Sequence, residues 1–538
     1  MASLPPAPDG RLRGDHACRL GRCGCGGAQA RGERVPDPIG AGGRHPAAVA
    51  LVTASATAGD PLRVLQVGWG FHPWRVGGLI LYAEDLMAAL VERGHAVTYF
   101  FAGRHYPLRS RPRLRCWHRD GVDMRELVNP PIVAGLERGT RRPDLDVAEP
   151  WIEEQFAGAL REVAPDVVHV QELHGLPSSL LDLAAKARVP VVMTLHDYGP
   201  LCATLRLFDA DGRVCTRMRI GADCVTRNAG APLDDRLLRR ETVEFELRGI
   251  RGWLDRRGRS LDERLVEWAL RRAGVSDEQI EAMEASLPRP EPGLEDAFQR
   301  RRDVNVERLG RVDRLIAQSP RIAEIYRSLG VSGERMSVMP AFAKHIERLR
   351  PRRLDIAPTL PTFITLGGCA SRTKGSRVVA EALEALRAAG AEGRFRLRVL
   401  GHVDPAVEEL LAGFERVELN GLYARDQLDA ILEDGDVGLM PSVWEEALGY
   451  TGLEMLAKGI PLIANPLGGI GGYLREGETG WINESCTGRG LADLMLRVVD
   501  HPELVPDMHR RTLAAWPQIS IPWTSHVDAV EGVYREVV

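Results

Sequence analysis

Short apolar runs alternate with longer stretches of helical periodicity along most of the chain. Leu62-Arg-Val-Leu-Gln-Val-Gly68 reads as a buried strand. A loop with Gly77 and Gly78 follows, and LILYAEDLMAALVERG then places apolar residues on one helical face and closes at Gly94. His95-Ala-Val-Thr-Tyr-Phe100 resumes a strand, which completes a βαβ unit with the glycine pair at its first carboxyl end. APDVVHVQELHG and VPVVMTLHDYGPLC supply two more strands with a helix between them, and VDRLIAQS and RMSVMP supply the last strands of this half. Residues 103 to 150 show no clear period and read as loop. Residues 231 to 310 are densely charged, with helical stretches such as SLDERLVEWALRRAG, and read as an insertion with solvated faces.

The same alternation restarts after an Arg- and Pro-rich linker near Ala341 to Pro361. FITLGGCASRTKGSRVVAEALEALRAAG predicts a strand, a turn at Gly367-Gly368, and a helix entered through Lys374-Gly375. LRVLGHV is the next strand, and VELNGLYARDQLDAIL carries a strand and a helix. Asp436-Val-Gly-Leu-Met440 is a short apolar run stopped by Pro441. The loop after it holds Glu445 and Glu446 beside Trp444. Thr451 is the expected N-cap of a helix whose apolar face is Leu453, Met455, Leu456 and Ala457, and Gly459 ends it before the strand Leu462-Ile-Ala464.

Strands alternating with helices predict parallel α/β sheets, and 538 residues exceed a single core, so two domains are expected. With 44% apolar and 27% charged residues the composition is that of a water-soluble globular chain. A net charge of −4 gives no case for nucleic acid as a partner. No run of about 18 apolar residues exists to span a bilayer. Nine irregularly spaced cysteines favour a reducing, cytoplasmic setting over a disulfide framework. Ala47 to Ala58 is too feeble and too far from the start to be a signal peptide. Residues 1 to 60, rich in Gly, Ala, Pro and Arg, read as a disordered tail, and Cys18, Cys23 and Cys25 lack a fourth metal ligand at a suitable spacing.

Candidate chemistry gathers where strands end, because ligands of open α/β sheets bind in the crevice at the strands' carboxyl ends. Lys374, at a helix N-terminus in a glycine-bearing loop, suits a diphosphate: its point charge adds to free amides and the helix dipole. His196-Asp197 ends a strand and points to the same kind of crevice, whereas His169, inside an apolar run, reads as a satisfied core histidine. Glu454 has two readings. Thr451-Gly-Leu-Glu454 fits a capping box with glutamate at N3, and a place in the site is the alternative.

Glu446, seven intervening residues and Glu454, with Gly449 between them and GIPLIANPLGGI and REGETGWI following, resemble the E-x7-E stretch of the family-4 retaining glycosyltransferases. The resemblance covers roughly residues 62 to 230 and 311 to 538. It implies the GT-B architecture, two facing Rossmann-like domains: an acceptor domain at 61–340, with the charged insertion at about 231–310, and a donor domain at 341–515. A crossover helix at 516–538 would return to the first domain. It further implies transfer of a sugar from a nucleotide-diphosphate sugar to a saccharide, lipid-linked or other hydroxyl acceptor, with retention, in polysaccharide or glycoconjugate biosynthesis.

On the family's pattern Glu454 holds the ribose and Glu446 the donor sugar. Lys374 with Arg372 neutralises the leaving diphosphate, His196 faces the sugar, Gly421-Leu-Tyr423 lies beside the base, and Gly77, Gly78 and Gly449 allow close approach. The catalytic set implied is Glu446, His196 and Lys374, with no metal and no cofactor beyond the donor. A peripheral contact with the inner membrane face is compatible with a lipid-linked acceptor.

Two departures stand out. Cys369 occupies the place where relatives usually carry an arginine, and Cys202, Cys215 and Cys224 lack the fourth cysteine that some relatives have. The first motivates an alternative, a nucleotide-sugar-binding protein without turnover; an epimerase or phosphorylase of the same architecture is a second. Deleting residues 1 to 60 is expected to leave donor binding unchanged in calorimetry, and loss of folding on that truncation would show the segment to be part of the core.

Overall fold

The computed structural model describes residues 59–538, apart from residues 76, 108–110, 135–139, 141, 203, 209–213, 228–230, 256–261 and 287–292. The expectations for the N-terminal tail and for Cys18, Cys23 and Cys25 therefore lie outside the described residues, Gly59 and Asp60 excepted. Strands β1 (Arg63–Trp69), β2 (Ala96–Ala102), β3 (Arg113–Arg119), β4 (Val122–Val128), β5 (Val167–Val170), β6 (Val191–Leu195), β7 (Arg314–Ala317) and β8 (Met336–Val338) form one sheet. Its order is β3-β4-β2-β1-β5-β6-β7-β8, and every pairing is parallel except β3 with β4.

A second sheet holds β9 (Thr362–Leu366), β10 (Arg396–Leu400), β11 (Val417–Gly421), β12 (Val437–Met440), β13 (Leu462–Ala464) and β14 (Gly480–Ile482). Its order is β11-β10-β9-β12-β13-β14, parallel throughout. In each sheet the chain first grows outward on one side of a central strand and then switches to the other. The switch falls between β1 and β5 in the first sheet and between β9 and β12 in the second. Those are the two places where the topology opens a crevice.

The central strands are buried on both faces, which accounts for their unbroken apolar runs. The hairpin β3–β4 lies in the stretch read as loop. Its exposed strand β3 alternates too irregularly, RLRCWHR, to carry a period-2 signal. The charged insertion also differs from its expectation at one end. The helix Leu294–Arg311 is not a solvated face, because it buries Phe298, Arg301, Arg302, Asn305 and Leu309. Arg301 and Asn305 donate to the carbonyls of Gly199 (2.7 Å) and Pro200 (2.9 Å), and Arg302 to that of Leu201. The buried guanidinium groups thus satisfy the otherwise orphaned backbone of the loop after β6.

The last helix, Trp523–Val537, packs on the first domain. Trp523, Val527, Val530 and Tyr534 join one cluster with Leu62, Val64, Tyr82 and Leu86. Its polar anchor is Tyr534. The hydroxyl accepts from Gln66 Nε2 at 3.1 Å and donates to His169 Nδ1 at 2.6 Å, while His169 Nε2 meets Thr194 Oγ1 at 2.8 Å. His169 is fully buried, so burial pushes its pKa down to about 3 and keeps it neutral. It is the satisfied core histidine expected. Removing the hydroxyl would take the short bond from His169 Nδ1 and the bond from Gln66 Nε2 out of a buried network. Tyr534→Phe is therefore expected to lower stability by about 1–3 kcal/mol in a urea titration.

Candidate functional site

At the second switch point the loops after β9 and β12 lie against each other. Gly375, the N-cap of the helix Ser376–Ala388, has φ 99°, and a Cβ there would stand 2.2 Å from the Pro441 carbonyl oxygen. Only glycine permits that approach. It carries Lys374 over the β12 loop, where its Nζ donates to Glu446 Oε1 at 2.7 Å. The same oxygen accepts from Ser442 Oγ at 2.6 Å. Burial pushes the Glu446 carboxyl up, but the Lys374 ammonium and the Ser442 hydroxyl outweigh it and hold it below the usual range. Glu446 is thus an ionised, buried carboxylate beside a partly exposed cation, with Lys374 Nζ 5.4 Å from the Trp444 ring centroid.

Glu454 does not cap its helix. The helix runs Tyr450–Ala457, its N-cap is Gly449 in the left-handed region (φ 75°), and Glu454 is therefore its fifth residue and not N3. Thr451 meets Met440 Sδ at 3.0 Å and caps nothing. The sequence pattern misplaces the start because Gly449 turns the chain earlier than a threonine cap would. Glu454 Oε1 instead accepts from His345 Nε2 at 2.6 Å, and His345 belongs to the connection between the domains. Its second oxygen is buried without a hydrogen-bond partner, as are His345 Nδ1 and Tyr450 Oη. Tyr423 packs nearby, its phenol pushed up by burial and by the Glu454 charge.

Glu445 is not a site residue on sequence grounds, and it proves to be the joint of the loop. Its Oε2 accepts from the Gly468 amide at 2.6 Å, and its Oε1 accepts from Arg321 Nη2, in the first domain, at 2.6 Å. Gly468 and Gly469 serve the glutamates: a Cβ on Gly468 would lie 2.0 Å from the Glu446 carbonyl oxygen, and Gly469 N donates to that oxygen at 2.7 Å. The signal for Glu445 is its place in the pair beside Trp444; nothing in the linker sequence marks His345.

The first domain reaches the site through the loop after β1. A Cβ on Gly78 would stand 2.5 Å from Tyr450 Cδ2, so glycine lets this loop lie against the helix Tyr450–Ala457 of the second domain, whereas Gly77 (φ 142°) is needed for its backbone. Arg425 pairs with Asp85 at 3.3 Å and Arg206 Nη1 donates to Thr373 Oγ1 at 2.7 Å across the same cleft. Gly449 brings its own close contact, since a Cβ there would meet the Tyr473 hydroxyl at 2.7 Å.

His196 is held by side chains of the first domain. It is buried, its Nε2 donates to Gln171 Oε1 at 2.9 Å, and its Nδ1 accepts from Gln318 Nε2. Burial pushes it down to about 3, so it is a neutral, doubly hydrogen-bonded imidazole. Arg372 is exposed and its guanidinium lies 5.8 Å from the Phe208 ring of the first domain. Cys369 is fully buried in the apolar core, its thiol pushed up to about 12 by burial and Asp404. The thiols of Cys202, Cys215 and Cys224 engage Leu207 N and Arg217.

Residues 76–274 match the family model Glycosyltransferase Family 4, and residues 360–501 match Glycosyl transferases group 1. The chain is 27% identical over 180 residues to an alpha-D-kanosaminyltransferase of Streptomyces kanamyceticus, covering 33% of this chain and 46% of that one. It is 28% identical over 273 residues to a D-inositol 3-phosphate glycosyltransferase of Paenarthrobacter aurescens, covering 46% and 62%. The chain thus spans about half the length of these curated relatives. The fold is similar to sucrose-phosphate synthase from Thermosynechococcus elongatus (TM-score 0.54, 17% identity, 88% of this chain and 98% of that one). It is also similar to HepE of Anabaena in complex with UDP-glucose (TM-score 0.51, 13% identity, 88% and 99%). Two largely parallel sheets facing each other through their switch points, the paired domain matches and the Glu446–Glu454 loop place the chain in the family-4 glycosyltransferases of GT-B architecture.

Proposed function

We propose that the protein moves a sugar from a nucleotide-diphosphate sugar to an acceptor hydroxyl, with retention at the anomeric carbon. The observation that carries this reading is the Lys374–Glu446 ion pair at the β9–β12 switch point, a partly exposed cation and a buried anion side by side. The ammonium suits the charge that grows on a departing diphosphate, and fixed charge aimed at developing charge supplies much of the rate enhancement in many such catalysts. The carboxylate suits the hydroxyls of the transferred sugar. Glu454, with one buried oxygen unpartnered, has the spare acceptor capacity that a ribose diol would fill. The HepE structure with UDP-glucose supports a nucleotide sugar as the donor class.

In this reading the bond from the anomeric carbon to the diphosphate breaks, the acceptor oxygen bonds that carbon, and the acceptor proton leaves with the diphosphate. Contacts such as Gly78 against Tyr450 exclude water from the cleft and limit loss of the donor to hydrolysis. Assembly of polysaccharide or glycoconjugate, at a cytoplasmic or inner-membrane face, is the corresponding setting. One observation favours a second reading. The buried thiol of Cys369, where relatives usually carry an arginine, leaves Lys374 as the cation in contact with Glu446, which is compatible with donor binding without turnover.

Thermal shift against UDP, GDP and ADP sugars, followed by assay of released nucleotide, separates the two readings, because a ligand of the native state raises its apparent stability. A stabilising sugar nucleotide that is never turned over would favour the second. Glu454→Gln is expected to weaken nucleotide-sugar binding about 10- to 100-fold in calorimetry, the value of a hydrogen bond to a charged group, with the fold intact. Glu446→Gln is expected to lower turnover far more than nucleotide affinity, since its partner is the transferred sugar. Lys374→Ala should cost on the order of 100- to 1,000-fold in turnover. Wild-type binding and turnover in all three variants would overturn the assignment.

A further inference from the structure

The switch point of the first sheet carries a cluster of its own. Glu172 and His174 follow β5, Asp197 follows β6, and Arg75 follows β1. His174 sits between the two carboxylates, its Nε2 2.7 Å from Asp197 Oδ2 and its Nδ1 3.4 Å from Glu172 Oε2. Asp197 Oδ1 accepts from the Gly199 amide at 2.7 Å. The other oxygen of Glu172, Oε1, is buried without a hydrogen-bond partner. A cavity of about 30 Å³ opens beside it, walled by Glu172, His174, Asp197, Asp146, Arg301 and His196. That is room for one or two water-sized groups, and polar side chains share its wall with apolar ones such as Leu176 and Met193.

A buried carboxylate oxygen left unpaired is costly, and native structures seldom keep one without a use. Two chemistries could fill the place. A divalent cation would find three ligand atoms within 4.8 Å of one another. Against it, His174 already lies within ion-pair distance of both carboxylates: burial opposes its charge, but Glu172 and Asp197 outweigh that and hold it up at about 9. A cation would have to expel that proton, with Arg75 close enough to act on Glu172 and Arg301 in the wall. A hydroxyl needs no such displacement. It supplies the one donor that Glu172 Oε1 lacks, and it matches the cavity in size.

We infer that Glu172, beside the His174–Asp197 pair, binds a hydroxyl of a polyhydroxylic acceptor such as a sugar or cyclitol. The inference rests on the transferase reading above and assigns its acceptor side. The geometry sets the acceptor across the cleft from the donor pair, because Tyr198, next to Asp197, donates its hydroxyl to the Glu445 carbonyl at 3.0 Å. Glu172 is thereby a contact for the acceptor, while His174 and Asp197 are positioning residues. Burial pushes the Glu172 carboxyl up to about 7; the charged groups acting on it are His174, Asp197 and Arg75, with Tyr99 also near it and Asp146, Arg301 and His196 in the same wall. Above that pH it is an anion that accepts from a hydroxyl, and below it the proton competes with the ligand. Acceptor binding should accordingly strengthen as pH rises through about 7.

The test is saturation-transfer NMR on the full chain with methyl α-D-glucoside, methyl α-D-mannoside and myo-inositol, with and without UDP, from pH 6 to 8. Wild type is expected to bind at least one of these probes, more tightly at pH 8 than at pH 6. Glu172→Gln should weaken that binding at least tenfold and flatten its pH dependence, while UDP affinity in calorimetry stays within twofold. His174→Gln, with melting curves recorded for both variants, separates loss of the contact from loss of the fold. No polyol signal in wild type, or a signal that Glu172→Gln leaves intact, overturns the inference. So does stoichiometric Mn²⁺ binding, read by electron paramagnetic resonance, that Glu172→Gln abolishes. Wild type that binds the polyols but no UDP, GDP or ADP sugar would instead sink the transferase reading and leave this site standing.

Discussion

The buried carboxylate of Glu445 is the constraint on which the site depends. One of its oxygens is held by Arg321 of the first domain and the other by the Gly468 amide of the second. The loop after β12 is therefore fixed from both sides before Glu446, the next residue, makes any contact of its own. Hydrogen bonds to a charged, buried acceptor are among the stronger ones a protein makes, and leaving such an acceptor half-satisfied is expensive. Loss of the Arg321 contact would free the loop that aims Glu446 at Lys374. Glu446 is thus positioned by its neighbour in sequence.

The two switch points use one physical scheme with different chemistry. In the second domain a lysine neutralises a buried glutamate, and the pair is charged and partly open. In the first, an imidazole lies between two carboxylates, and one carboxylate oxygen remains free. Both clusters stand where the strand order reverses and the carboxyl ends part. The backbone there turns outward, so side chains converge without burying unpaired peptide groups.

How much is legible follows from what leaves a mark in a single chain. The buried strands of both sheets show as apolar runs, and Lys374, Glu446 and the glycine loops stand out by their places at strand ends. The exposed strand β3 does not, because neither of its faces is consistently apolar. Glu454 has a capping signature that the fold does not use, since Gly449 starts the helix first. His345 and Arg321 are invisible for another reason. Each acts on a residue more than a hundred positions away, and nothing local records such a pairing. Arg301 and Arg302 look like solvated charge, yet they serve backbone carbonyls about a hundred residues distant.

The chain crosses between its two lobes twice, once through the segment that holds His345 and again just before the helix Trp523–Val537. Two tethers restrict relative motion more than one does. A single linker would let the lobes swing and twist, whereas two fixed crossings leave chiefly rotation about the line that joins them. Opening and closing then becomes nearly a one-coordinate movement, so that whatever ligand draws the faces together must bring Gly78 back to Tyr450 along the same arc each time.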